Sequence, residues 1–120
     1  MKNVLKIIYE KIVAHNSDDF SQLTGIFTCV PSNQKLPYIV ITIVKANNIS
    51  NFVEEIFLYD IKISVYTENN SNIFLLNVLN EIRDTIFDCE DFINIKEIET
   101  NIENQSNDIL CGNIIFNIVY

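Results

Sequence analysis

Residues 57–66, Phe57-Leu58-Tyr59-Asp60-Ile61-Lys62-Ile63-Ser64-Val65-Tyr66, decide the fold. Every odd-numbered residue is apolar, while Asp60, Lys62 and Ser64 interrupt the even series, a period of two that reads as a β-strand with one buried face. A second layer must cover that face. Two amphipathic helices supply it. Leu75, Val78, Leu79, Ile82, Ile86 and Phe87 recur at helical spacing with Asn77, Asn80, Glu81 and Asp84 opposite, and Asn70 to Asn72 offer an N-cap. Near the start, Val4, Leu5, Ile8, Tyr9, Ile12 and Val13 form a similar stripe, which predicts a helix over Lys2 to Ala14. Asn16 to Asp19 break it, and Phe20 and Leu23 are expected to tuck back onto the core.

The remaining segments read as strands. Ile26 to Val30 is a short one, followed by a loop bounded by Pro31 and Pro37. Tyr38 to Val44 is rich in branched residues with apolar side chains on both faces, as in a central strand. Ile93 and Ile95 open another strand, but Ile98, Thr100 and Ile102 are out of phase with them, which requires a bulge or an interruption near Lys96. Asn101 to Asp108 turn the chain, and Ile114, Phe116, Ile118 and Tyr120 alternate in a closing strand with Gly112 near its start. Between the two long strands, Lys45 to Ile56 exceeds a tight turn and is expected to form a protruding hairpin arm. Its turn-forming asparagines and serine carry the apolar pair Phe52 and Val53, so Asn48, Ile49, Asn51, Phe52, Val53 and Glu54 are the candidate interface residues. The order α-β-β-β-α-β-β predicts an α+β fold, with two helices packed on one face of a mainly antiparallel four- to five-stranded sheet.

A chain of 120 residues with 48% hydrophobic and 20% charged residues suits one domain over residues 1–120. Sixteen acidic against eight basic residues give a net charge of −8, which disfavours a surface built to grip phosphates and so any direct, sequence-specific binding of nucleic acid. Lysines and a glutamate interrupt the apolar pattern of the first fifteen residues, unlike a secretory signal, and no apolar run is long enough for a membrane helix. Cys29, Cys89 and Cys111 are widely spaced and lie in apolar surroundings, so all three are expected to be reduced, buried packing residues.

The sequence shows no assembled reaction centre. A single histidine, His15, sits at the predicted end of the first helix, where the helix dipole favours its protonated form. No G-x-S-x-G elbow, phosphate loop or dinucleotide fingerprint occurs, and Gly25 and Gly112 are isolated. The acidic groups Asp18-Asp19, Glu54-Glu55 and Asp88, Glu90 and Asp91 lie at element ends, where solvated loop acids are the ordinary explanation. The expectation is a protein without catalytic activity, cofactor or metal.

Helix one, Gly25-Ile26-Phe27, Leu36-Pro37-Tyr38-Ile39-Val40-Ile41, Ile61-Lys62-Ile63-Ser64-Val65-Tyr66, helix two and the segment from Gly112 to Tyr120 follow one another in an order that resembles the tail-terminator and tail-completion proteins of long-tailed phages. Where most of those proteins place a tryptophan-serine pair before helix two, Tyr66-Thr67-Glu68 stands here. The resemblance implies a structural part that forms a ring, commonly a hexamer, on the end of a tail tube. It implies self-association, contact with tail tube protein and with a head connector, collar or sheath protein, and a path from host cytoplasm to a virion or headless tail-like particle. Competing readings are a head-to-tail joining protein, an acidic adaptor or inhibitor of a basic partner, and a small carboxylate-dependent hydrolase.

Overall fold

The structure, a computed structural model, describes residues 3–120. Helix α1 runs over Val4–Ala14, so the expected start at Lys2 lies outside the described residues. Asn3 caps it by accepting the backbone N–H of Lys6 at 3.1 Å. Strand β1 spans Gly25–Phe27, β2 Tyr38–Asn48 and β3 Phe57–Glu68; helix α2 spans Asn72–Phe87, and β4 and β5 span Asn94–Asn104 and Ile109–Val119. The expected architecture is present: two helices on one face of a single five-stranded sheet, ordered β1-β2-β3-β5-β4. All pairings are antiparallel except that of β1 with β2.

The alternation in 57–66 has its expected meaning. Tyr59, Ile61, Ile63 and Val65 are fully buried beneath the helix layer, with Ile114, Phe116 and Ile118 of β5 beside them on the same face. Ile39 and Ile41 of β2 extend this floor, and Val4, Ile8, Ile12, Leu75, Val78, Leu79, Ile82 and Ile86 close it from above. Fully burying each aliphatic side chain is worth about 1.5–3 kcal/mol, so this layer holds most of the stabilising area. Phe20 is buried as the first residue of a single 3-10 turn, Phe20–Gln22, and Leu23 packs partly against the core.

Several expectations are corrected. Tyr9 and Val13 are exposed although they share the apolar stripe of α1, because α2 and β2 cover only the strip through Val4, Ile8 and Ile12. Phe87 is likewise exposed, its ring edge-on to Phe116 with centroids 5.9 Å apart. The first strand stops at Phe27 rather than Val30. The arm is shorter than Lys45 to Ile56, since β2 continues to Asn48 and pairs with β3 as far as Asn48 and Phe57, past a bulge at Val44. The final strand begins at Ile109, leaving only Gln105 to Asp108 as the turn. The phase break in β4 is a bulge at Ile98, between Glu97 and Glu99, and it returns Thr100 and Ile102 to the same face as Ile95.

Gly112 is the fourth residue of β5, near its start as expected, and α2 lies close upon it. A Cβ at this position would come within 2.8 Å of Leu79 Cδ1 and 2.9 Å of Leu75 Cδ1. Glycine here sets the separation between α2 and the sheet.

Candidate assembly surface

Residues 49–56 extend past the end of the sheet in a body measuring 51 × 27 × 25 Å. Polar side chains build the tip from within. Asn51 Oδ1 accepts the backbone N–H groups of Val53 and Glu54, each at 2.8 Å, and the Asn51 N–H bonds the Glu54 carbonyl at 3.1 Å. Ser50 Oγ accepts the Ile56 N–H at 2.9 Å, and Asn48 Oδ1 accepts that of Ser50 at 2.8 Å. These bonds satisfy the turn locally. The apolar residues are left facing water: Phe52 is fully exposed, Val53 is 89% exposed and Ile49 about half. The turn thus holds a large apolar side chain out in solvent on a hydrogen-bonded frame.

Of the six candidate residues, Asn48 ends β2 and Ile49, Asn51, Phe52, Val53 and Glu54 lie in the tip, where they do not fold back to cap the core. A second feature escaped sequence reasoning. The exposed Tyr9 joins Leu5 and Lys6 of α1, together with Ile26, Phe27 and Cys29 around β1, to line a largely apolar recess of about 490 Å³. Its components are separated by some twenty residues, and the apolar stripe of α1 disguised two of them, Leu5 and Tyr9, as core. Cys29 is exposed, contrary to expectation, whereas Cys89 and Cys111 are buried, and burial pushes both of their thiols up.

Between the helices, His15 Nε2 meets Glu81 Oε1 at 3.0 Å, and Thr85 Oγ1 lies 3.4 Å from His15 Nδ1. Burial opposes ionisation of Glu81, but hydrogen bonding with His15 and Ser17 and the histidine charge outweigh it and hold the carboxyl below its usual range. Asp19 is pushed the other way, by burial first and then by the neighbouring Glu81 charge. The hydroxyl, imidazole and carboxylate follow the order of a nucleophilic triad. Thr85 Oγ1, however, donates to the Glu81 carbonyl oxygen at 2.7 Å, which commits its proton to the helix backbone, and its approach to the imidazole is long. The geometry is that of a clasp between α1 and α2. Arg83 and Glu97 make a similar tie from α2 to β4.

Among the described residues, no group of three or more histidines, cysteines or acids could hold a metal ion, and no helix is long and apolar enough to cross a membrane.

These features define an α+β protein of two layers, one open sheet face and an apolar arm. No protein-family model and no curated protein matches the sequence. Among solved structures, a chain from the "Virion of native gene transfer agent (GTA) particle" matches with a TM-score of 0.73 and 12% identity, over 97% of this chain and 92% of that one. At that identity the likeness is one of fold.

Proposed function

We propose that this chain is a structural part of a phage-like particle, closing the end of a tail tube as a ring of six copies, stopping tube growth and forming the joint to a head connector, collar or sheath protein. It assembles in the host cytoplasm and remains in the virion or headless tail-like particle, and the role needs no reaction centre or cofactor. The observation that carries the reading is the arm, whose Phe52 is fully exposed on a turn with its own hydrogen bonds. The shared fold with a chain of a gene transfer agent virion supports the setting. A head-to-tail joining protein would use the same parts. An acidic adaptor is less well supported, because the acids are dispersed over the arm, the end of α2 and strand β4 instead of gathered on one face.

The test mixes the purified chain with polymerising tail tube protein and examines tube lengths and ends by electron microscopy. Shortened tubes with a ring at one end are expected, while Phe52→Ser unfolds at the same temperature as wild type yet leaves tubes uncapped. Tubes of unchanged length at equimolar chain would refute the reading.

A further inference from the structure

We infer that the arm tip of one copy docks into the recess between α1 and β1 of a second copy, with Phe52 and Val53 seated against Leu5, Tyr9 and Ile26. The two surfaces match in chemistry. The tip presents two bare apolar side chains followed by Glu54, and the recess is a largely apolar hollow with Lys6 on its wall. In a chain of net charge −8, copies repel one another, which favours a contact that sets an acid of one copy against a base of the next. The recess, of about 490 Å³, is open to solvent rather than enclosed, so a projecting tip can enter it from outside.

Geometry makes the contact intermolecular. Phe27 pairs with Val40, and the arm leaves the sheet at Asn48, eight residues further along β2 or about 26 Å. Each chain therefore carries one plug and one socket at separate places. Such a contact is heterologous, and repeated from copy to copy it closes into a ring or extends as a filament. The inference deepens the assembly reading and rests on it for the ring alone; the contact is testable without any tube.

Cys29 on the recess wall offers the test, because it is exposed while Cys89 and Cys111 are buried. The full-length Val53→Cys variant is oxidised mildly with diamide and its linked peptides are mapped by mass spectrometry. A link between positions 53 and 29 is expected, with a covalent ladder extending past the dimer. Val53→Cys with Cys29→Ser should lose the ladder, and Ser106→Cys, at the β4–β5 turn, should not link to Cys29. Adding Lys6→Glu to Val53→Cys should cut the yield about threefold, as for a partly screened ion pair, and Glu54→Lys should restore it. Absence of the 53–29 link, or linkage only between like positions, overturns the docking. Copies that link but leave tubes uncapped would retain the docking and lose the tail role; capped tubes without the link would do the reverse.

Discussion

His15 and Glu81 join the two helices side chain to side chain, Nε2 to Oε1 at 3.0 Å, from positions 66 residues apart in sequence. Because the folded state holds the Glu81 carboxyl below its usual range, the unfolded chain binds a proton there more readily as pH falls. The stability it contributes is therefore complete above the ordinary glutamate pKa and is lost as pH falls through the lower folded value. Glu81→Gln should cost about 1 kcal/mol at neutral pH and flatten the acid limb of a melting-temperature profile. An unchanged acid limb would exclude the clasp as its source.

Asp19 carries the opposite sign. Its carboxyl is pushed up by burial and by Glu81, so its contribution to stability is present at low pH and is lost as pH rises through the raised folded value. Asp19→Asn should raise the melting temperature at neutral pH and do little at acid pH. Calorimetry at two pH values decides it, and destabilisation at neutral pH would contradict the assignment.

The two faces of β3 respond oppositely to a new charge. Ile63 is fully buried under α2, and Lys62 stands on the open face across from Thr42 and Ile115. An aspartate at 63 strands an unpaired charge in the core at a cost of about 3–5 kcal/mol or more, comparable with the total stability of a small domain. Ile63→Asp should be unfolded by circular dichroism. Lys62→Asp should shift the midpoint only slightly.

Gly112→Ala should destabilise the fold, because its methyl group would come within 3 Å of the Cδ1 atoms of the buried Leu75 and Leu79 and force both side chains to shift. Overpacking of this kind costs about 1–3 kcal/mol, measurable as a lower denaturation midpoint. Pairing it with Leu79→Ala should recover part of the loss, since the truncated side chain vacates the overlap. Strictly additive losses would place the strain elsewhere.

Thiol labelling separates the three cysteines. Only Cys29 is exposed, and burial keeps the other two protonated as well as covered. Native protein should take up one equivalent of iodoacetamide rapidly and three after denaturation. Fast labelling of Cys111 would show that the open sheet face admits reagent.

Period and spacing determined the layers by themselves. The alternation from Tyr59 to Val65 and the stripe from Leu75 to Ile86 bury the side chains they specify, with Phe57 half-buried at the strand end, because a strand and a helix each expose a face by fixed local geometry. The break in β4 was legible for the same reason, since a bulge displaces every later side chain by one step. The projecting tip was legible too, as an apolar pair among turn-forming residues. Tertiary structure alone decided how much of each stripe the neighbouring layer reaches, and so left Tyr9, Val13 and Phe87 in solvent. It also decided the close approach of α2 to Gly112, the meeting of His15 with Glu81 and the recess that Tyr9 shares with Phe27 and Cys29. Each of these depends on distances between segments remote in the chain, which the packing of side-chain volumes sets and no local period encodes.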